Sequence, residues 1–173
     1  MTAPITIRRL VPADLASYKA LRDTMLAAHP SAFSSDAVEG LSRSPESYRA
    51  RLGLERPEGG EFTLGAWSGS GLAGAISCER DQRVKVRHIG HLIGMMVRDE
   101  VQGRGVGRLL LDACLAEARH AAGLEMLTLT VTAGNDAAIR LYERAGFVCY
   151  GTLPRAICVN GTYYAKDQMV LTL

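Results

Sequence analysis

The sequence predicts an α/β chain (α+β by some schemes) built on a single-layer, mixed, mostly antiparallel central sheet flanked by helices. Three observations carry that prediction. Short apolar segments lie on either side of one turn signal in each half of the chain, where Ser68-Gly69-Ser70-Gly71 and Asn160-Gly161 read as hairpin turns. Between them the order is strand, helix, strand, helix, strand. A glycine-rich stretch, Gln102-Gly103-Arg104-Gly105-Val106-Gly107, joins the first of those strands to the first of those helices.

Taken in order, Ile5 to Arg9 alternates apolar and polar residues, the pattern of a short strand. Pro12-Ala13-Asp14 opens a helix, proline favouring the first turn. Leu15, Tyr18, Leu21, Met25 and Leu26 recur at helical spacing, so one face is buried, and the helix stops near His29-Pro30. Ser31 to Ser44 is polar and reads as a loop. Pro45 to Leu52 begins a second helix with Ser44 as its N-cap. Glu61 to Trp67 and Leu72 to Cys78 are strands, and the charged stretch Asp81 to Arg87 is an exposed turn.

His88 to Val97 is a long central strand in which Gly94 marks a bulge or a close backbone approach. After the glycine-rich stretch, a helix runs from Arg108 to about Ala122 and ends at Gly123. Leu127 to Thr132 alternates strictly as a strand. Asn135 to Arg144 is a short helix capped by Asn135 and stopped by Gly146. Phe147 to Leu153 is the next strand, and Ala156 to Val159 with Thr162 to Leu171 flank the last hairpin turn.

Length and composition set limits on function. A chain of 173 residues suits one domain with a good core, and no internal repeat or linker divides it. A formal net charge of +2, with the basic residues scattered, gives no ground for nucleic-acid binding. Cys78, Cys114, Cys149 and Cys158 show no metal-ligand spacing and read as small buried side chains in a reducing compartment. No metal site is expected. No apolar run reaches a membrane span and the first residues show no signal-peptide pattern, so the expected location is cytoplasmic.

The glycine-rich stretch carries the chemistry. Its glycines allow a tight turn and bring bare amides close to a ligand. The free N–H groups opening the next helix form an anion site suited to phosphate, to which Arg104 and Arg108 add charge. A P-loop would need Gly-Lys-Ser/Thr, and a dinucleotide fingerprint would need glycine where Arg108 stands. A glycine-rich connection with no ligand is the plain alternative. Downstream, Asn135, Ala138 and Tyr142 lie at spacings of three and four, on one face of their helix.

Gln102-x-x-Gly105-x-Gly107 after an apolar strand resembles the pyrophosphate loop of the GNAT superfamily of acyl-CoA-dependent N-acetyltransferases. Asn135-Asp-Ala-Ala-Ile-Arg-Leu-Tyr-Glu-Arg-Ala-Gly-Phe147 resembles that superfamily's second motif. The Ala32-Phe33-Ser34-Ser35 loop and the Arg155, Asn160-Gly161, Tyr163-Tyr164, Met169 ending also recur in it; Ala165-Lys166-Asp167 departs from its pattern, and Asp167 inherits no role.

The resemblance implies splayed central strands and acetyl-CoA as co-substrate. The acetyl group would pass to a primary amine by direct attack in a ternary complex. Main-chain N–H groups of Met95, Met96 and Val97 would hold the thioester carbonyl. Gln102, Gly103, Arg104, Gly105, Val106, Gly107 and Arg108 would hold the pyrophosphate, Asn135 and Ala138 the pantetheine arm. Tyr142 would serve the leaving sulfur as acid.

His91 is a candidate base, since an unbulged strand would point it to the side of Ile93, Met95 and Val97. A structural histidine, or a water chain ending on Glu61 or Glu79, are the alternatives. Asp36, Glu39, Glu61 and Glu79 are acidic residues that could attract the amine, which could be a small amine, amino acid, polyamine or peptide N-terminus. A homodimer is possible. A non-catalytic acyl-CoA-binding regulatory module is the alternative function, and it would have no need of Tyr142.

Overall fold

The structure, a computed structural model, describes residues 4–56, 58–69 and 71–173. Ser70, in the first expected hairpin turn, lies outside them. The strands are β1 (Ile5–Arg9), β2 (Phe62–Ser68), β3 (Gly71–Arg80), β4 (Ile89–Val97), β5 (Met126–Thr132), β6 (Val148–Val159) and β7 (Thr162–Thr172). The helices are α1 (Leu15–Ala28), α2 (Ala37–Ser42), α3 (Val106–Arg119) and α4 (Asp136–Arg144). Short 3-10 segments cover Pro12–Asp14, Pro45–Leu52 and Asp99–Val101.

The strands form one seven-stranded sheet in the order β1-β2-β3-β4-β5-β7-β6. Every pairing is antiparallel except β4 with β5, which run parallel. The expected mixed, mostly antiparallel sheet is therefore the one observed. Alternation along the strands divides the core between two faces. Ile76 and Cys78 of β3 pack with Leu110, Leu111 and Cys114 of α3. Ala75, the residue before Ile76 and so on the other face, packs with Leu15, Tyr18 and Leu21 of α1 and with Tyr48 and Leu52 of the 3-10 helix. Truncating one of the fully buried leucines, such as Leu110, would cost about 2–5 kcal/mol through lost burial and the cavity left behind.

Local structure departs from the sequence expectation in several places, each with a physical cause. Residues 37–42 are helical because the Asp36 side chain accepts hydrogen bonds from Val38 N and Glu39 N at 2.8 and 3.0 Å, so the expected loop carries a capped turn. Residues 45–52 form a 3-10 helix, and Ser44 does not cap it with its side chain. Helix α3 begins at Val106, inside the glycine-rich stretch, and ends at Arg119, earlier than expected.

The two strand segments expected around Pro154 are one strand, β6, whose register shifts between Leu153 and Ile157, with Arg155 at a φ of 53°. Proline is tolerated there because β6 is the sheet edge. Cys78 and Cys114 are buried as expected, whereas Cys149 and Cys158 are exposed on that edge strand. No helix among the described residues is long and apolar enough to cross a membrane.

Candidate active site

The site grows out of the parallel pair. β4 and β5 are in register only at Ile89–Met126, Gly90–Leu127 and His91–Thr128. Beyond these three the strands diverge. β3 pairs with β4 on its other side as far as Val97, so the main-chain groups of Leu92–Val97 directed towards β5 have no ladder partner. A cavity of about 840 Å³ fills the gap, with Met95 on one wall and Thr130 on the other. All the residues expected to hold the cofactor or act on it line this cavity except Arg104 and His91.

The glycine-rich stretch forms one end. Gly103 and Gly105 have φ of 74° and 77°, a conformation side chains resist, and this requirement explains their identity. Gln102 fastens the turn by donating from Nε2 to Val97 O at 3.1 Å and Asp99 Oδ1 at 2.8 Å. The hydrogen bond from Leu109 N to Gly105 O is 3.0 Å and opens α3, leaving the amides of Val106, Gly107 and Arg108 without helical acceptors. Those amides and the helix dipole make an anion site at the cavity. Arg108 lines it and reaches Asp112 Oδ2 at 3.4 Å, while Arg104 stays exposed outside the lining.

Helix α4 supplies the opposite wall. Asn135 caps it, its side chain accepting from Ala138 N at 3.3 Å, so the side-chain carbonyl of Asn135 serves the helix itself. Tyr142 is 7 % exposed and packs edge-on against Phe147 with ring centroids 5.9 Å apart. Burial, with Cys114 adding to it, pushes its phenol above the usual tyrosine range, so the hydroxyl keeps its proton. It makes no hydrogen bond to another described residue and lines the cavity as a free donor.

His91 is the correction. Ala75 pairs with Met96 and Ser77 with Ile93, so Gly94 and Met95 together oppose Ile76 in a bulge, with Gly94 at a φ of 59°. The bulge resets the alternation. Leu92, Met95 and Val97 all pack towards α3, while Met96 packs towards α1. His91 therefore lies on the face opposite Met95 and Val97, against the expectation for an unbulged strand. It is exposed, its Nδ1 is 2.7 Å from Thr128 Oγ1, and it is absent from the cavity lining. Glu61 and Glu79 do not line the cavity either; Glu61 pairs with Arg56 at 2.8 Å and Glu79 with Arg51 at 3.5 Å.

Sequence reasoning missed the third wall. Arg22 of α1, Arg51 of the 3-10 helix and Lys166 of β7 all line the cavity, together with Ser34 and Ser35. Arg22 Nη2 donates to Ser35 Oγ at 2.7 Å and Lys166 Nζ to Ser34 Oγ at 3.0 Å. Both cations are at least nine-tenths buried, at 5 % and 7 % exposure, and burial lowers the Lys166 ammonium below the usual lysine range. The one available signal was Lys166 itself, standing on the inward side of a strand where an apolar residue is normal.

Known proteins share this sequence family and this fold. A family model described as Acetyltransferase (GNAT) family matches residues 20–147. An L-methionine sulfoximine/L-methionine sulfone acetyltransferase of Pseudomonas aeruginosa is 41% identical over 77 residues, 44% of this chain and 44% of that protein. The chain thus aligns with under half the length of that relative. A spermidine N(1)-acetyltransferase of Vibrio cholerae is 31% identical over 77 residues, again 44% of each chain. Among solved structures, a GNAT-family acetyltransferase from Streptococcus pneumoniae superposes with a TM-score of 0.88 at 29% identity, covering 98% of this chain and 100% of that one. A putative acetyltransferase from Salmonella typhimurium, solved with its cofactor acetyl-CoA, gives a TM-score of 0.83 at 25% identity, covering 99% and 95%.

Proposed function

Because the chain belongs to the acetyltransferase (GNAT) family, we propose that it moves an acetyl group from acetyl-CoA to a primary amine by direct attack within a ternary complex, as a single catalytic domain. The observation that carries this is the shared cavity. An anion-binding helix start, unpaired strand amides and a free, protonated Tyr142 hydroxyl all face one space. The pyrophosphate takes the amides of Val106, Gly107 and Arg108, and the pantetheine arm lies along Asn135 and Ala138.

The amine nitrogen attacks the thioester carbon, and the carbonyl oxygen becomes an oxyanion. Main-chain N–H groups among Met95 to Val97, already oriented and unpaired, stabilise that charge without reorganising. The C–S bond then breaks and the sulfur takes a hydrogen bond or proton from Tyr142. Arg22, Arg51 and Lys166 lower the pKa of an ammonium bound beside them, so the amine arrives more readily uncharged. No imidazole lines the cavity among the described residues, and the released proton leaves through water. The free thiols of all four cysteines suit a cytoplasmic location, which belongs to the same proposal.

The test is release of CoA thiol from acetyl-CoA by purified protein across a panel of amines. CoA release that depends on an added amine and yields the N-acetylated amine supports the proposal. Tight acetyl-CoA binding with no release for any amine would overturn it in favour of a binding module.

A further inference from the structure

The cavity is lined by six cationic side chains and one carboxylate, Asp112, which is already engaged with Arg108. Three of the cations, Arg22, Arg51 and Lys166, form the wall built by α1, the 3-10 helix and β7. Arg51 answers to Glu79 at 3.5 Å, but neither Arg22 nor Lys166 has a salt-bridge partner among the described residues. Their hydrogen-bond partners are neutral hydroxyls on the neighbouring residues Ser35 and Ser34. Arg22 Nε is buried with no partner at all. Buried charge normally requires a counter-charge, and one left without it is costly.

These groups are also held in place and aimed. The Tyr48 ring has the Arg22 guanidinium 5.5 Å and the Arg51 guanidinium 5.6 Å from its centroid. Both converge on the bulge in β4: a Cβ built on Gly94 would lie 3.6 Å from Arg51 Nη1 and 3.8 Å from Arg22 Nη1. Gly94 adjoins the Met95 amide that the proposed mechanism uses. An anion seated here would stand a few atoms from the reacting carbonyl.

We infer that the acceptor carries a carboxylate close to its amine, as a free α-amino acid does, and that Arg22, with Lys166 and Arg51 about it, holds that carboxylate; this rests on the acetyl-transfer reading above. The planar guanidinium matches a carboxylate in shape and charge. Holding the carboxylate at the bulge presents the neighbouring nitrogen to the thioester carbon. A polyamine, cationic along its length, is repelled by the same wall. The acidic residues first expected to attract the amine do not form this wall: Asp36 caps α2, and Glu61 and Glu79 stand outside the lining.

The experiment measures kcat/KM with acetyl-CoA for L-amino acids, each against its own α-carboxamide, with spermidine as the cationic comparison. In parallel, melting of the CoA-bound protein is recorded with acid and with amide, which reads the anion site without turnover. The acids should exceed their amides by about tenfold or more, the scale of one charge-assisted contact, and should raise Tm where the amides do not. Arg22→Met should remove both preferences while leaving acetyl-CoA affinity unchanged. Lys166→Met, a smaller change to the fold, should reduce them if the Arg22 variant does not fold. Amides or spermidine turned over as well as acids, with no Tm difference, overturn the inference and leave acetyl transfer standing. An acid-specific Tm rise without turnover keeps the anion site and overturns acetyl transfer.

Discussion

Gly107 stands against Met95 across the mouth of the cavity: a Cβ built on the glycine would lie 3.3 Å from Met95 Cε. Gly103 and Gly105 owe their identity to backbone conformation, since a Cβ on either would meet nothing within 4 Å. Gly107 sits in the first turn of α3 and owes its identity to this approach.

Gly107→Val should therefore leave a folded protein that binds CoA about tenfold or more weakly. The added methyl groups displace Met95 into the cavity and screen the helix amides. Calorimetric titration with CoA checks it, and unchanged affinity would take the glycine-rich turn out of the site.

Tyr142→Phe keeps the ring, its packing on Phe147 and the helix face, and removes only the hydroxyl. Turnover should fall about 10²–10⁴-fold if chemistry limits the rate, while acetyl-CoA affinity holds. Wild-type turnover in an assay limited by chemistry would reduce Tyr142 to packing.

His91→Ala should cost only the contact with Thr128, about 0.5–1.5 kcal/mol in stability. The bulge turns the imidazole away from Met95, so the low-pH limb of the rate profile should be unaltered. A shifted limb, with acetyl-CoA affinity intact, would restore the histidine to the reaction.

Asp14 predicts an acid-side loss of stability. Its carboxylate accepts from Arg8 Nη1 at 2.7 Å, Arg8 Nη2 at 3.0 Å and Val11 N at 2.9 Å, tying β1 to the start of α1. The Arg8 hydrogen bonds, chiefly, hold its pKa below the ordinary aspartate value. Its contribution is therefore complete above about pH 4, the unfolded value, and is lost as pH falls through the lower folded one. Arg8 is nearly half exposed and water screens the pair, so Asp14→Asn should lower stability at neutral pH by only about 1 kcal/mol and flatten that part of the Tm profile.

The legible parts of this chain were those whose partners lie near in sequence. Gln102 to Gly107 announces its turn by glycine spacing, and Asn135 to Tyr142 announces its face by helical period. Gly94 announced a bulge, but which way the bulge turns His91 depends on the register with β3, which no local pattern records. Arg22, Arg51 and Lys166 are further still from legibility: three scattered basic residues become one wall only when α1, the 3-10 helix and β7 close around Gly94. The extra turn at residues 37–42 was hidden for the opposite reason, because Asp36 reads equally as a loop aspartate or a cap.

The three-residue pairing of β4 with β5 leaves the sheet, in effect, one strand short on its inner side. In the proposed reading, a pantetheine arm with its two amide groups would lie in this gap and complete the sheet as an added strand does. Hydrogen exchange should record the repair. Amides of Leu92 to Val97 that face β5 should exchange quickly in the free protein and slow on addition of CoA, whereas those bonded to β3 should be protected throughout. The protein would then be most rigid when loaded and loosest when empty, with the donor serving as part of its architecture during the proposed transfer.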